Sequence, residues 1–519
     1  MKILLAGPGT GKTTKIQKII SEQYSTAEKI KVISFTKATV KDLNKSFNIH
    51  SNVTCSTLHS FALGLNHLPE LHILIREEED IILSLSNKME IEFPTVCELL
   101  KCITFNAMIS QCVSFIKANP AYAQNKIGNL DLLLIDEFQD FNPNEQQLVM
   151  LTSALAEETI ILGDDDQSIY GFKDADPDGI INLYKDESIE KIPHENICYR
   201  CPDAIVDFCI KLLRKNKNRI EKEWKKSAKA GSINIQQFMR QDQCDNYIVN
   251  RIKAIKQNEP DASILVLSPV GFAVETLKIN LDTEIIPFVD CWNDSFDKEM
   301  LSKIWWLNAI YCKSKLPFLI FLLKHYNLFS KAKVTRTKKQ RFETNFDEVV
   351  LIKEILSLGY LPEPFASYIL NTPTLDDFFV NHNDFDFAKE VIDANDMEGS
   401  ISMLTNKVKP KKEFEEGKIN LMSIHKSKGL QADYVFISGL VTGILPNETK
   451  GIDTIEAQRR LLFVGLTRAL KELNLTSTVE WDGKYVNKVD KSQFEYKFWN
   501  KKWRGKTSKF IEEIQNNKM

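Results

Sequence analysis

Apolar residues recur along this chain in short blocks with two different periods. Near the start, "KILLA" (Lys2–Ala6) is a continuous apolar run of strand length, and "TTKIQKIISEQY" behind it sets Ile16, Ile19 and Ile20 at helical spacing. A glycine-rich segment separates the two. Leu132–Ile135 in "NLDLLLIDEFQD" and the apolar start of "TIILGDDDQSIYGF" repeat the buried-strand pattern, and each run ends in acids. From Gly231, strand and helix patterns alternate through "GSINIQQF", "NYIVNRIKAI", "SILVLSP", "FAVETLKINL" and "EIIPFVD", which predicts a second parallel-sheet domain. The intervening stretches, from "NHLPELHILIREEEDIILSL" onward and over residues 291–414, read as mainly helical, and "GKINLMSIH" then returns to the sheet.

The segment between the first strand and helix has the parts of a phosphate-binding loop. Gly7, Gly9 and Gly11 let backbone N–H groups turn inward around phosphates, Lys12 neutralises the terminal phosphates, and the Thr13 hydroxyl suits magnesium. Alone, the loop specifies a nucleoside triphosphate and no particular class of protein. The strand ending in Asp136 and Glu137 supplies the other half, because open α/β sheets bind ligands at the carboxyl ends of their strands. There Asp136 can hold magnesium and Glu137 can orient and deprotonate an attacking water. In the next acidic strand end, Gln167 is placed to sense a γ-phosphate. Tyr170 and Phe172 beyond it are either stacking platforms for bases or core residues.

Bulk properties narrow the class. At 519 residues the chain is long enough for several domains, and its 43% hydrophobic and 26% charged residues are those of a globular protein. The net charge of −3 means that a polyanion has to be held by a local groove. The most apolar stretch, "IWWLNAIYCKSKLPFLIFLL", is broken by Lys313, Lys315 and Pro317 and falls short of a membrane span, and no signal segment opens the chain, so a cytoplasmic protein is expected. Ten cysteines lack framework spacing. The one close pair, Cys198 and Cys201 in "CYRC", has no second pair to complete a metal site, and reads as buried thiols.

In order along the chain stand "AGPGTGKTT", "FTKATVKDL", "CSTLHSFA", "LLLIDEFQD", "LGDDDQSIYGF", "CYRCP", "MSIHKSKGLQADYVFISG" and "RRLLFVGLTRAL". This set resembles the motifs of the UvrD/PcrA/Rep helicases of superfamily one, from Ala6 to about Leu470. That family also uses alanine where the strict loop pattern has glycine, at Ala6. The resemblance implies an α/β fold of two RecA-like parallel-sheet motor domains with two mainly helical inserted subdomains. The first motor domain is expected at 1–60 and 125–193, its insertion at 61–124, the second motor domain at 194–290 and 415–500, its insertion at 291–414, and a basic tail at 501–519. It further implies ATP and Mg2+ as cofactors. Gly7, Gly9, Thr10, Gly11, Lys12, Thr13 and Thr14 would surround the phosphates, Thr13 and Asp136 the metal, Glu137 the attacking water and Gln167 the γ-phosphate. Arg200 in "CYRCP" and Arg468 in "GLTRAL" resemble the family's paired γ-phosphate arginines, and would close over the nucleotide from the second domain.

The implied activity is ATP-driven 3′-to-5′ translocation on single-stranded DNA, with separation of 3′-tailed duplexes. Thr36, Lys37, Thr57, His59, Tyr170, Phe172 and His425 match the family's single-strand groove, though His59 also suits a core position. The basic run "KAKVTRTKKQR" (Lys331–Arg341) is either a duplex contact or a solvated loop. Three features depart from the family. The chain begins too close to the loop for the family's adenine-reading glutamine, Thr14 replaces an arginine that lies against the base, and Gln431 stands where a carboxylate meets the ribose. Tyr199, matching the adenine-stacking tyrosine, is kept. The reading is a site that grips triphosphate and reads its base weakly. A rival reading is a nucleotide-sensing subunit that gates a partner nuclease, as in Gabija-type antiphage defence, which the small size, the missing base-reading motif and a shortened second insertion fit.

Overall fold

The computed structural model describes residues 1–35, 39–40, 43–44, 52–65, 71–74, 76–89, 92–99, 102–292, 414–448, 452–489, 491–497 and 502–515. Two compact units form: Met1–Leu65 with Ile109–Trp292 and Lys412–Met519, and Asn66–Met108 with Asn293–Lys411. In the second unit the described residues include β4 (His72–Ile73), β5 (Cys102–Ile103) and the helices Arg76–Met89 and Phe93–Leu99. The stretch expected as a second insertion, 291–414, lies almost wholly outside the described residues, as does the basic run Lys331–Arg341.

The first unit is built on two parallel sheets. In the first sheet, β1 (Lys2–Leu5), β2 (Ile30–Ser34), β3 (Val53–Thr57), β6 (Leu130–Ile135), β7 (Ala156–Gly163) and β8 (Glu190–Lys191) lie in the order β3-β2-β6-β7-β1-β8. Every pairing is parallel. Strands covered on both faces read as unbroken apolar runs, and Leu132–Ile135 are accordingly all buried. Ile16, Ile19 and Ile20 of the helix Lys12–Gln23 pack on Leu4, Val32 and Leu134, so the helical spacing seen in the sequence faces this core.

After Ile197 the chain builds the second sheet. β9 (Ile197–Cys198) pairs with β10 (Lys225–Lys226), and β11 (Ser232–Phe238), β12 (Ile264–Ser268), β13 (Val289–Asp290), β14 (Ile419–Ser423), β15 (Ala432–Ile437) and β16 (Ala469–Thr478) form a six-stranded parallel sheet in the order β11-β16-β15-β12-β14-β13. Alternate residues of β12 face opposite layers: Ile264 and Val266 meet the helices Gln241–Asn258 and Glu275–Thr283, while Leu265 and Leu267 share a core with Ile205, Leu462 and Phe510 from other helices. The α/β class with two parallel sheets is therefore as the sequence implied. The apolar run "EIIPFVD" shortens to the two residues of β13, since Ile285 takes a left-handed φ of 55° and points into solvent.

Residues 502–515 are folded rather than trailing. β19 (Lys502–Arg504) pairs antiparallel with β17 (Glu480–Trp481) and β18 (Glu495–Lys497), and the helix Lys509–Gln515 buries Phe510, Ile511 and Ile514. Their one-then-three spacing forms an apolar stripe on a single helix face, while the surrounding lysines stay on the outside.

Candidate functional site

The carboxyl ends of β1, β6 and β7 meet at the glycine-rich loop. Gly9 and Gly11 have φ of 71° and 81°, a region that side chains resist. Thr10 Oγ1 donates to the Gly7 carbonyl at 2.7 Å, and the Gly7 N–H donates to Asn196 Oδ1 at 3.2 Å. The helix Lys12–Gln23 begins at Gly11 with no side-chain cap. Its first N–H groups therefore remain available at the positive end of the helix, where anions bind. Thr13 and Thr14 are exposed on that first turn.

Lys12 Nζ pairs with Glu137 Oε1 and lies 3.5 Å from Asp136 Oδ1. Burial alone would lower the lysine's pKa, but the two carboxylates outweigh it and the net shift is upward. Glu137 shows the converse: burial works against its charge, yet Lys12 and Lys428 hold it well below the usual carboxylate range. It sits at φ 56°, left-handed backbone for a non-glycine residue, and such strain concentrates at functional positions. Gln139 fixes its other oxygen, donating Nε2 to Glu137 Oε2 at 2.5 Å while its own Oε1 accepts from Asp164 N at 3.0 Å. Asp136 Oδ1 is buried and accepts no hydrogen bond. A buried carboxylate oxygen with only the Lys12 ammonium, at 3.5 Å, beside it, together with the exposed Thr13 hydroxyl at the start of the helix, is a hard-oxygen set that fits magnesium.

Two arginines come from beyond the first sheet, Arg200 after β9 and Arg468 just before β16. Arg468 is buried, and its donors reach Val464 O at 2.7 Å, Leu430 O at 3.2 Å, Thr467 Oγ1 at 2.9 Å and Gln167 Oε1 at 3.4 Å. All four partners are neutral. Burial, then the neighbouring charge of Arg200, pushes its pKa down to about 9, so the side chain stays cationic at neutral pH. Arg200 and Tyr199 lie directly over the loop. Tyr199 N donates to Gly9 O at 2.9 Å, and a Cβ on Gly9 would stand 2.4 Å from Arg200 Cβ, so only glycine fits there. The Tyr199 ring is 63% exposed. Gln431 does not stand free, since its Oε1 accepts from Arg200 Nε at 3.1 Å.

The residues expected in a single-strand groove divide. Thr36 and Lys37 lie outside the described residues. Thr57 Oγ1 accepts from Ser60 N at 3.1 Å, capping the helix Leu58–Leu65, and His59 Nε2 lies 3.4 Å from Glu145 Oε1. Tyr170, Phe172 and His425 come together. Phe172 meets Tyr170 at 5.9 Å and His425 at 5.3 Å between ring centroids, both edge-on, and Phe35 continues the row at 5.1 Å from Tyr170. Tyr170 packs against the core, whereas Phe172 is 65% exposed.

Sequence reasoning missed Lys428, the second lysine of "HKSKGL". Its ammonium pairs with Asp140, donates to Gln167 O at 2.8 Å, lies 3.6 Å from Glu137 Oε2 and sits 5.4 Å over the Tyr170 ring. Asp164, Asp165 and Asp166 cluster closely enough to suggest a cation site. Lys222 Nζ fills it, at 3.0 Å from Asp164, 2.9 Å from Asp166 and paired with Asp165.

Comparison with known proteins agrees with this geometry. Residues 1–173 match the family model described as an AAA domain, and residues 322–480 match the UvrD-like helicase C-terminal domain. The chain is a UvrD/PcrA/Rep-like protein of helicase superfamily one. The DNA helicase II of Rickettsia typhi is 23% identical over 91% of this chain and 89% of its own length. The ATP-dependent DNA helicase Rep of Buchnera aphidicola subsp. Schizaphis graminum is 25% identical over 72% of this chain and 66% of its own. The putative ATP-dependent DNA helicase YjcD of Bacillus subtilis is 26% identical over 74% and 56%. Among the described residues no helix of this UvrD-like chain is long and apolar enough to cross a membrane.

Proposed function

We propose that this UvrD-like chain is an ATP-dependent DNA helicase that moves 3′ to 5′ along single-stranded DNA and separates 3′-tailed duplexes. The observation that carries the nucleotide half is Arg468: a buried cation whose hydrogen-bond partners are all neutral, one of them Gln167, which in turn donates to Asp164 just after β7. Such a group is incomplete without an anion, and a transferring phosphoryl group supplies one. The names of the relatives, DNA helicase II and Rep, support the coarser reading as an ATP-dependent DNA helicase.

In this reading the triphosphate enters the loop and draws Lys12 away from Glu137. The freed carboxylate, kept ionised by Lys428 and aimed by Gln139, accepts the proton of the attacking water. Magnesium, held by Thr13 and Asp136, would neutralise phosphate charge. Arg200 and Arg468 stabilise the charge spreading over the γ-phosphoryl oxygens, a contribution of roughly 10³–10⁵ in rate for an arginine finger. Because Arg468 leads into β16 of the second sheet, Arg200 follows β9, and the loop follows β1 of the first sheet, phosphate release loosens the contacts between these parts. Phe172 and His425, one from each sheet's loops, sit where a strand of bases would feel that movement.

ATP hydrolysis measured with and without single-stranded DNA, beside unwinding of 3′-tailed and 5′-tailed duplexes, tests the proposal. DNA-stimulated turnover with unwinding only of the 3′-tailed substrate is expected. Turnover indifferent to DNA would sink the motor reading, and preference for the 5′ tail would reverse the polarity.

A further inference from the structure

The pair Cys198 and Cys201 has no task in phosphate chemistry, yet it is built into the nucleotide site. Cys198 ends β9, Cys201 lies just before the helix Asp203–Leu213, and both are fully buried. Cys198 Sγ donates to the Pro8 carbonyl of the phosphate loop at 3.5 Å, and a Cβ on Gly9 would stand 3.3 Å from that sulfur. Cys201 Sγ points to the Thr467 carbonyl, one residue before Arg468, also at 3.5 Å. The Cys201 N–H donates to Cys198 Sγ at 3.4 Å. One four-residue segment thus touches the phosphate loop with one sulfur and the Arg468 turn with the other, and carries Tyr199 and Arg200 between them.

The pair is also chemically unequal. The Cys201 thiol, against the effect of burial and with help from the N–H groups and charge around Arg200, draws Cys198 down to about 7, while Cys201 is raised well above the ordinary thiol value. That asymmetry separates an attacking thiolate from a resolving thiol.

We propose that Cys198 and Cys201 are a redox modification site, forming a reversible disulfide that disables the nucleotide site, with a low-molecular-weight disulfide as the oxidant. The inference rests on the nucleotide reading above for its consequence, though not for its chemistry. Because Cys198 is fully buried, the exchange follows local opening of the Cys198–Cys201 segment: the Cys198 thiolate then attacks one sulfur of the external disulfide, a mixed disulfide forms, and one small thiolate leaves. Cys201 then gives up its proton and attacks Cys198 Sγ, closing the protein S–S bond and expelling the second small thiol. Two protein thiols are oxidised and one external disulfide is reduced.

Closure removes both S–H donors at once. The Pro8 carbonyl and the Thr467 carbonyl lose their partners, and the sulfurs draw together to about 2.05 Å, with Tyr199 and Arg200 locked inside the ring. Gly9 packs against Arg200 Cβ and Cys198 Sγ, so the loop follows the segment. A displacement of about 1 Å near reacting groups costs up to roughly 10²-fold in rate. A fall of at least about tenfold in turnover is expected, with weaker nucleotide binding.

The test uses the full chain, reduced or equilibrated with oxidised glutathione. Alkylation and peptide mass mapping locate the disulfide, a fluorescent ATP analogue reads affinity, and ATP turnover is followed before and after dithiothreitol. The expected result is a Cys198–Cys201 disulfide, loss of affinity and turnover together, and recovery on reduction. Cys198→Ser should give equal affinity with and without oxidant, whereas Cys201→Ser should stop at the mixed disulfide, read as a glutathione adduct on Cys198. A failed function reading is recognised by absent turnover in the reduced chain, whereas mapping and affinity judge the disulfide regardless. Thiols that remain free, a disulfide through Cys209 instead, or a Cys198–Cys201 bond that leaves affinity unchanged would each overturn the inference.

Discussion

Lys428 Nζ lies 3.6 Å from Glu137 Oε2, so a cation from a loop of the second sheet braces the carboxylate that ends a strand of the first. Together with Lys12 on its other oxygen, this keeps Glu137 ionised and aimed, although neither lysine is near it in sequence.

Glu137→Gln should therefore retain nucleotide and DNA binding while turnover falls by about 10²–10⁴-fold, the usual contribution of a general base. The amide keeps the shape of the side chain but accepts no proton from water. Lys12→Ala should fail earlier, at triphosphate binding. Steady-state hydrolysis beside equilibrium binding separates the two, and near-wild-type turnover in Glu137→Gln would remove the residue from the role of base.

Lys428→Ala leaves Asp140 and Glu137 facing each other in a buried site without their shared cation. Breaking a buried pair from one side costs about 3–5 kcal/mol, so a clearly lower melting temperature is expected, together with loss of DNA-stimulated turnover. Above about pH 7, where an Asp140 carboxyl that burial already pushes up to about 7 can ionise, adding Asp140→Asn to Lys428→Ala should recover part of the melting temperature, because the orphaned charge is gone. No recovery would mean that the lysine acts through its hydrogen bond to the Gln167 carbonyl rather than through Asp140.

What the sequence disclosed and what it hid follow from distance along the chain. The loop, Asp136 with Glu137, and the strands that carry them are contiguous, so local patterns displayed both the fold class and the phosphate chemistry. Lys428 meets Asp140 and Gln167 across 288 and 261 residues, a juxtaposition that no local pattern encodes. The triple aspartate is contiguous, but its partner Lys222 is supplied from a segment after β9. Thr57 and Gln431 carried family positions in the sequence, while the structure has Thr57 capping a helix and Gln431 bonded to Arg200. Cys198 and Cys201 read correctly as buried, but nothing local revealed that they sit against Pro8 and Thr467.

Phe172→Ala should leave DNA-free hydrolysis nearly unchanged and reduce DNA stimulation and unwinding, since the exposed ring makes no core contact that the nucleotide site needs. Loss of one base stack is worth about 1–3 kcal/mol, or roughly 5–150-fold in single-strand affinity. Equal loss of basal and stimulated rates would instead make Phe172 a packing residue.

Burial pushes the His425 pKa down to about 4, so in the folded chain the ring is neutral where an unfolded histidine, near 6.5, is already charging. The unfolded state then binds more protons between these values, and stability falls as the pH drops from about 6.5 towards 4. Melting temperatures of wild type and His425→Gln across this window check the sign: the variant should lose less on acidification. An identical slope would show that His425 is charged in both states.

The last expectation concerns the base. Strong discrimination between nucleotides requires polar groups that the wrong base leaves unpaired, at about 1–3 kcal/mol each. Tyr199 presents an exposed ring, which stacks on any base. Thr14 is short and lies on the exposed first turn of the helix, and Gln431 is engaged by Arg200 rather than held open for a sugar. GTP should therefore support hydrolysis within about tenfold of ATP, a difference of no more than ~1.4 kcal/mol in specificity. Turnover efficiency for ATP, GTP and CTP on single-stranded DNA at fixed magnesium measures it. A preference for ATP above a hundredfold would mean that another residue reads adenine. The first to replace would be His194, whose Nε2 is buried without a hydrogen-bond partner.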